Sequence, residues 1–203
     1  ETGDAQLMTA LEPIWDNLVH EKMYVTGACG ALYDGASPDG SEDQAHITRT
    51  HQAYGRNYQL PNTTAHNETC AAIGNLLWNW RMFLVTGEAR YIDVLELALY
   101  NAVLSGVSLD GDDYFYVNPL RQGEPLPTEL RWPRTRVPYR VSYCCPPNVL
   151  RMIAELGGFA YSTSDDSVWV NLYGGNTLAT TLSGKPLNLT QATAYPWDGD
   201  VRL

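Results

Sequence analysis

The stretch that decides the fold is Tyr143-Cys144-Cys145-Pro146-Pro147-Asn148, where two adjacent cysteines precede two prolines and a helical pattern. Far upstream, Asn67-Glu68-Thr69-Cys70 contributes a third cysteine and a carboxylate. Three thiols and one carboxylate can complete the four-coordinate shell of a zinc ion, with Zn–S bonds of about 2.3 Å and Zn–O bonds of about 2.0–2.2 Å. We therefore expect one metal-binding functional centre, in which a sulfur can also do chemistry, with the ligands Glu68, Cys70, Cys144 and Cys145.

Both segments are expected at the start of a helix. On a regular helix, Glu68 and Cys70 would point about 200° apart, so they can share a metal only where the helix has barely begun. A cap at Thr69 or Asn67 would meet this condition. The partial positive charge of a helix N-terminus also favours thiolates, which are both metal ligands and nucleophiles. A purely structural zinc remains the alternative, although such sites mostly use four cysteines, three cysteines with one histidine, or two of each.

The composition is that of a globular chain with a sizeable core. Hydrophobic residues make up 44% of the 203 residues, which fits one large domain or one and a half small ones. The net charge of −10 argues against a nucleic-acid partner, because neutralising phosphates requires a basic surface. No apolar run approaches the roughly 20 residues of a membrane span, so no membrane partner is expected. Both ends fall within predicted elements, which suggests a piece of a longer polypeptide.

The four cysteines could instead pair as two disulfides. A bond between the neighbours Cys144 and Cys145 would close a strained ring, and a chain of this length does not need cross-links to be stable. Metal ligation is therefore the favoured interpretation. Cys29 is interpreted as a small apolar core residue. His66 and His51 could each contact a substrate or be loop histidines with satisfied hydrogen bonds.

Hydrophobic periodicity predicts helices in the first part of the chain. A helix over 4–23, interrupted at Pro13, has the apolar face Leu7, Leu11, Ile14, Trp15 and Leu18. A helix that begins near Thr69 ends at Gly87, and a second helix over 89–106 forms an αα-hairpin with it. Pro147 and Asn148 open a helix that reaches about residue 161, with the inward face Leu150, Ile153, Ala154, Leu156 and Phe159.

The segments between these helices differ in character. Residues 24–32 are small and glycine-rich, which is typical of a loop in close backbone contact with its surroundings. Residues 33–50 form a long polar loop, and loops of this length tend to be functional or mobile. Residues 110–140 also read as loops, with short strands expected at 114–117 and 130–132.

After residue 164 the periodicity changes from helix to strand. Strands are expected at 168–172, 176–182 and 187–195, because glycine-containing turns separate these runs. The alternation of apolar and polar residues in the last run is typical of an antiparallel sheet. We therefore divide the chain into residues 1–164 and residues 165–203.

These residues resemble a known family, the zinc- and cysteine-dependent β-L-arabinofuranosidases of glycoside hydrolase family 127 and its sister family 146. The spacing from Leu-Pro-Asn to Glu-Thr-Cys and the Cys-Cys-Pro-Pro-Asn string are specific to this resemblance. The matching stretches run along essentially the whole chain and are Met23-Tyr24-Val25-Thr26-Gly27-Ala28, Leu60-Pro61-Asn62, Glu68-Thr69-Cys70-Ala71-Ala72-Ile73-Gly74, Cys144-Cys145-Pro146-Pro147-Asn148, Val170-Asn171-Leu172-Tyr173 and Tyr195-Pro196-Trp197.

The resemblance implies a fold that is mainly α. Family members are much longer than this chain and consist of an (α/α)6 barrel followed by β-sandwich domains. Residues 1–164 would then be a partial (α/α)6 barrel catalytic domain, and residues 165–203 the first strands of an antiparallel β-sandwich domain. Such an enzyme would be bacterial, in the periplasm or the cytoplasm.

Carried over by position, the resemblance implies that Glu68, Cys70, Cys144 and Cys145 bind Zn2+, and that Cys144 is the nucleophile. The implied enzyme is a retaining glycoside hydrolase that releases β-L-arabinofuranose, or a related sugar such as aceric acid, from plant cell-wall glycans. Its cysteine attacks the anomeric carbon to form a thioglycosyl intermediate, from which water releases the sugar. One sulfur and one acid replace the usual pair of carboxylates.

Two positions depart from the family pattern. The family's general acid/base is a glutamate shortly before the Leu-Pro-Asn string, and the aligned residue here is Gln52, whose amide cannot donate and retrieve a proton. Either Glu42 or His51 serves instead, or the substrate or the chemistry differs. The second departure is Ser142, where a further cysteine is often found that is not among the carried-over ligands. In addition, residues 33–50 read as an insertion, and Arg49 or Arg56 could face the carboxylate of an acidic sugar.

Two other functions stay open. Gln52 favours a zinc-stabilised carbohydrate-binding or scaffold protein without hydrolase activity. Alternatively, the zinc could be structural in an enzyme whose chemistry lies elsewhere. For the hydrolase, the expected partner is an oligosaccharide substrate, with neither nucleic acid nor a membrane involved, and a homodimer is left open.

Overall fold

The structure is a computed structural model that describes residues 3–32, 52–122 and 132–203. Helices predominate up to Glu155, and antiparallel strands form most of the remainder. The helices are α1 (Ala5–Asn17), α2 (Thr69–Thr86), α3 (Ala89–Ala98), α4 (Tyr139–Ser142) and α5 (Cys145–Glu155). The strands are β1 (Asp113–Tyr114), β2 (Val137–Pro138), β3 (Tyr161–Thr163), β4 (Val168–Val170), β5 (Asn176–Leu182), β6 (Lys185–Thr193) and β7 (Val201–Arg202).

The predicted first helix is confirmed, and α1 continues through Pro13 into a π-helical turn at Leu18–Lys22. Its predicted apolar face is only partly right, because Trp15 is buried whereas Leu7 and Ile14 are exposed. The packing of α1 is set by Trp15, whose indole N–H donates a hydrogen bond of 2.7 Å to the buried side chain of Asn79 in α2. This single aromatic anchor fixes which side of α1 faces the core.

The predicted αα-hairpin of α2 and α3 is confirmed and forms the centre of the core. Gly87 ends α2 in the left-handed region at φ 71°, where glycine avoids the steric cost that other residues pay. Helix α3 runs on through a π-helical turn, Leu99–Val103, and a 3₁₀ turn, Leu104–Gly106, so the helical path ends where the sequence predicted. The fully buried core residues include Leu76, Tyr91, Leu95, Ala98, Val103 and Met152.

The glycine-rich loop 24–32 packs against this hairpin, as predicted. Gly27 has φ +81°, and a Cβ atom there would lie 2.7 Å from the Cα atom of Ala98 in α3. Only glycine allows this backbone approach. The loop then supplies the carbonyl groups of Gly30 and Ala31, which accept hydrogen bonds from the N–H groups of Asn67 and His66.

Helix α5 differs from its prediction in both its bounds and its inward face. It begins at Cys145 and ends at Glu155, and the residues around 161 form β3 instead of helix. Its buried residues include Val149 and Met152, whereas Leu150 and Ile153 are exposed. The reason lies in the first turn: Cys145 points at α2, and the residues four and seven positions later follow it inward.

The strands form small antiparallel sheets. The β5–β6 hairpin turns at Ser183 and Gly184, both at positive φ, which matches the predicted turn. The predicted strands at 168–172, 187–195 and 114–117 shorten or shift to β4, β6 and β1, while residues 130 and 131 lie outside the described residues. The division at residue 164 stays a prediction. Within the described residues, no helix has both the length and the apolar character needed to cross a bilayer.

Candidate metal centre

The upstream ligands are presented by the first residues of α2. The predicted cap at Thr69 or Asn67 is wrong, because the N-cap is Glu68, in an extended conformation at φ −60° and ψ 135°. The Thr69 hydroxyl instead donates to the carbonyl of Phe115 at 2.8 Å, and its N–H donates to the carbonyl of Tyr116 at 3.0 Å. Because Glu68 precedes the helix, its carboxylate and the thiol of Cys70 can face the same space, as the spacing argument requires.

The downstream ligands are presented by the first residues of α5. Cys144 is the N-cap and Cys145 the first helical residue, and Pro146 and Pro147 follow. Prolines are favoured here because the N–H groups of the first turn have no partner within the helix. Just upstream, the buried hydroxyl of Ser142 donates to the carbonyl of Tyr114 at 3.1 Å, which ties this turn to β1.

The structure brings all four predicted ligands together. One potential ligand atom from each lies within 4.8 Å of every other. The Sγ atom of Cys70 lies 3.5 Å from that of Cys145 and 3.9 Å from that of Cys144, and the two vicinal sulfurs are 3.7 Å apart. The Cys144 sulfur is also 3.8 Å from Oε1 of Glu68. These four residues could hold a metal ion. That they are its ligands stays a prediction.

The three thiols ionise unequally. The thiol of Cys145 donates a hydrogen bond to Cys70, which lowers the pKa of Cys70 to about 7 and raises that of Cys145 well above its usual range. Burial and the neighbouring charge of Cys70 raise the pKa of Cys144. In the metal-free cluster, Cys70 is therefore the thiol that ionises most readily. A bound cation would favour ionisation of all three, because it interacts attractively with each thiolate.

Sequence reasoning did not assign a role to Asn148 or Tyr116. The amide of Asn148 donates to the Cys70 sulfur at 3.0 Å. The hydroxyl of Tyr116 is hydrogen-bonded to Cys144, and its ring stacks on Trp132 at 3.9 Å between centroids. The position of Asn148 could have been found, because four residues after Cys144 it lies on the same side of the helix. Tyr116 lies in an irregular segment, which carries no comparable signal.

His66 is one of the two histidines whose role was left open. It is buried, and its Nε2 atom lies 3.3 Å from Oε2 of Glu68. His66 therefore supports a proposed ligand through the carboxylate oxygen that does not contact Cys144. Among the other candidates, Glu42, Arg49 and His51 lie outside the described residues, whereas Arg56 is exposed and its role stays a prediction.

A cleft of about 280 Å³ opens beside the cluster. Its lining residues are Gly30, Gln52, Tyr54, His66, Glu68, Cys70 and Ala71. Gln52 has φ +67°, and its amide donates a hydrogen bond of 3.3 Å to the hydroxyl of Tyr116. Behind the cleft, Cys29 is fully buried, and burial raises its pKa to about 11, which confirms its interpretation as a core residue.

Residues 1–158 match the family described as Beta-L-arabinofuranosidase, GH127 catalytic domain. The chain belongs to the GH127 β-L-arabinofuranosidase family. A curated relative, the non-reducing end β-L-arabinofuranosidase of Bifidobacterium longum subsp. longum, is 34% identical over 207 residues. That match covers 98% of this chain and 28% of the relative, so the chain spans less than a third of its GH127 relative.

Solved structures of glycoside hydrolases and arabinofuranosidases share this fold. A structure titled glycoside hydrolase has a TM-score of 0.90 at 56% identity over 99% of this chain and 33% of its own. A GH127 β-arabinofuranosidase has a TM-score of 0.79 at 43% identity and is covered over 28% of its length. A GH127 β-L-arabinofuranosidase from Geobacillus stearothermophilus T6 has a TM-score of 0.76 at 34% identity and is covered over 29%. Each of the last two matches spans 98% of this chain. The predicted family and fold class are confirmed.

Proposed function

We propose that this chain is part of a zinc-dependent retaining glycosidase that releases β-L-arabinofuranose, or a related sugar such as aceric acid, from plant cell-wall glycans. The observation that carries the proposal is the convergence of three thiols and a carboxylate beside a cleft, in a chain of the GH127 family. Zn2+ would be held by Glu68, Cys70, Cys144 and Cys145, and Cys144 would be the nucleophile.

The spacing of the ligand atoms supports zinc. Tetrahedral coordination with Zn–S bonds of 2.3 Å separates two sulfurs by about 3.8 Å. The three sulfur–sulfur distances here are 3.5, 3.7 and 3.9 Å, so the thiols need only small shifts to share an ion. Soft thiolates favour zinc over magnesium or calcium, which prefer oxygen ligands. When bound, zinc would supply the positive charge that keeps these thiols deprotonated near neutral pH.

Burial and hydrogen bonding support Cys144 as the nucleophile. Cys145 is fully buried and cannot meet a sugar, whereas Cys144 is partly exposed. Cys70 lines the cleft and is the competing candidate, but its sulfur accepts a hydrogen bond from the amide of Asn148, which reduces its nucleophilicity, and it is also hydrogen-bonded with the thiol of Cys145. In the proposed reaction, the Cys144 sulfur bonds to the anomeric carbon as the glycosidic C–O bond breaks, and the aglycone leaves with that electron pair and takes up a proton. Water then attacks this carbon and loses a proton, and the electron pair of the C–S bond returns to sulfur.

The test compares Cys144→Ser with Cys70→Ser in the intact protein. We expect Cys144→Ser to lower kcat by at least about 10³-fold while it keeps part of its metal, because a hydroxyl is a far weaker nucleophile at neutral pH. Mass spectrometry of the wild-type protein with a slow substrate should find the sugar on Cys144. Normal turnover by Cys144→Ser, or a sugar on Cys70, would contradict the assignment.

A second function, favoured by Gln52, is a zinc-stabilised protein that binds carbohydrate without hydrolysing it. The cleft wall carries an amide at this position, and an amide cannot transfer a proton. Binding of arabinosides and pectin fragments without release of sugar, across a panel of both, would decide for this function. The homodimer stays a proposal, to be checked by the mass of the intact protein in solution.

A further inference from the structure

The wall of the cleft carries a neutral amide, the side chain of Gln52. Gln52 lines the cleft together with Glu68 and Cys70, and its amide donates to the hydroxyl of Tyr116. That hydroxyl is hydrogen-bonded in turn to Cys144. The phenol of Tyr116 therefore links the Gln52 amide to the proposed nucleophile through two hydrogen bonds. Its positive φ is uncommon for a residue with a side chain, so the backbone holds this amide in an unusual direction.

The described residues that line the cleft offer no carboxylic acid that is free to protonate the leaving group. Retaining hydrolysis ordinarily pairs the nucleophile with a carboxylic acid that protonates the departing oxygen. Among the described residues that line the cleft, Glu68 carries the sole carboxyl group. Its two oxygens face the Cys144 sulfur and the His66 ring. A carboxylate held between a thiol cluster and a histidine is positioned as a ligand, and the amide of Gln52 can donate a hydrogen bond but no proton.

We propose that Gln52 is a specificity-determining residue that makes cleavage fastest for β-L-arabinofuranosides whose aglycone departs as a stable anion, as phenols and carboxylic acids do, and slow for the sugar-linked residues of glycans. The inference rests on the proposed function and ranks its substrates by aglycone, since a sugar hydroxyl is a poor leaving group without a proton. Because the Gln52 amide cannot act as a base, it gives water no assistance in the second step, so small anionic nucleophiles compete with water for the thioglycosyl intermediate.

The two steps balance without a further reactant. In the first, the Cys144 thiolate bonds to the anomeric carbon, the C–O bond breaks, and its electron pair leaves with the aglycone as a phenolate or carboxylate. The Gln52 amide donates a hydrogen bond to that oxygen. In the second, water or an anion such as azide attacks the anomeric carbon, and the C–S electron pair returns to sulfur. Where water attacks, its proton passes to the solvent.

The test compares wild type, Gln52→Glu and Gln52→Asn on p-nitrophenyl and methyl β-L-arabinofuranoside. Gln52→Glu supplies an acid, so its kcat/KM on the methyl glycoside should rise by about 10²-fold or more, while the p-nitrophenyl glycoside changes by much less. Gln52→Asn keeps an amide and should retain the wild-type preference for the p-nitrophenyl glycoside. Circular dichroism and metal content show whether each variant is folded and loaded.

Azide provides an independent readout. Wild type and Gln52→Asn with the p-nitrophenyl glycoside should form arabinofuranosyl azide, and Gln52→Glu should form much less, because its carboxylate repels the anion and assists water. Wild-type turnover of the methyl glycoside at the Gln52→Glu rate, or the absence of azide product from wild type, overturns the inference. If wild type shows neither p-nitrophenol release nor a sugar on Cys144, the proposed function itself has failed.

Discussion

The two segments that carry the proposed metal ligands are held in place in different ways. The upstream segment, residues 67–70, is fixed through its backbone. The N–H of Asn67 donates to the carbonyl of Gly30 at 3.1 Å. The N–H of Thr69 donates to the carbonyl of Tyr116 at 3.0 Å. Asn67, Glu68 and Thr69 are all buried. The position of Cys70 therefore follows from the core of the protein.

The downstream segment, residues 143–148, is more open. Tyr143 is 59% exposed, and this segment meets the upstream one through side chains, namely the thiols and the amide of Asn148. Among the described residues, no backbone hydrogen bond joins the two segments. For the proposed site, we infer that the upstream segment would hold the metal in place, whereas the downstream segment would present a sulfur that can shift during attack.

The largest effect is expected from Cys70→Ala. This change removes the ligand that the core holds in place, so the protein should lose nearly all its metal and its turnover. Cys29→Ala is the matched control. Cys29 is fully buried in the core, so its replacement should leave the metal content unchanged. Metal analysis of both purified proteins makes the comparison. A Cys70→Ala protein with a full metal complement would show that the upstream segment is not the anchor.

A smaller but still large effect is expected from Gly27→Ala. The new Cβ would meet α3 at 2.7 Å and force a positive φ on alanine. Backbone strain of this kind costs about 1–3 kcal/mol. Overpacking adds about 1–3 kcal/mol. Urea denaturation should show this loss together with weaker metal binding, because loop 24–32 supports the upstream segment.

Gly74→Ala is the matched control for Gly27→Ala. Gly74 lies in α2 with open space around its Cα atom, and it has no positive φ. Alanine there should raise the free energy of unfolding by about 0.5–1 kcal/mol, because glycine is a poor helix former. An equal change in the free energy of unfolding in Gly27→Ala and Gly74→Ala would contradict the role of the close contact at Ala98.

An intermediate effect on the metal is expected from Asn148→Ala. Loss of the amide hydrogen bond to the Cys70 sulfur should weaken metal affinity by about 10–100-fold, as removal of outer hydrogen bonds does at other metal sites. Arg151→Ala on the exposed side of α5 should have no such effect. Competition with a chelator measures both affinities. If Asn148→Ala binds the metal as tightly as wild type does, the hydrogen bond from Asn148 to Cys70 does not contribute to metal affinity.

The smallest expected effect is a pH dependence of the metal-free protein. Because the pKa of Cys70 is lowered from 9.0 to about 7, its alkylation by iodoacetamide should reach half its maximal rate near that pH. The pKa of Cys29 is about 11, and this buried thiol should stay unreactive. A lowered pKa in the folded state stabilises the fold above pH 9, and this contribution is lost as the pH falls through about 7. Peptide mapping after alkylation identifies the thiol that reacts first.

Local signals explain what the sequence predicted well. The end of α2 at Gly87 and the bounds of β5 follow from glycine turns and alternating side chains, which act over a few residues. The four ligand residues could be chosen because thiols and a carboxylate at two helix starts match a metal shell. Helical spacing places Asn148 on the same side as Cys144, but its hydrogen bond to Cys70 joins residues far apart in the sequence, as does the contact of Tyr116 with Cys144.

The error in α5 has a tertiary cause. A helical pattern alone suggested that Leu150 and Ile153 face inward, yet both are exposed. The orientation is decided at the first turn, where the Cys145 sulfur must lie 3.5 Å from that of Cys70. This constraint, which comes from the site and not from the average hydrophobicity of α5, turns Val149 and Met152 into the core instead.

X-ray absorption at the zinc edge of the metal-loaded protein tests whether three thiols and one carboxylate hold a single zinc ion. We predict one zinc per chain, with three sulfur neighbours at about 2.3 Å and one oxygen at about 2.0–2.2 Å. Cys145→Ser should reduce the sulfur count by one. A zinc shell of nitrogen and oxygen alone, or an active protein in which Cys70 and Cys145 form a disulfide, would contradict it.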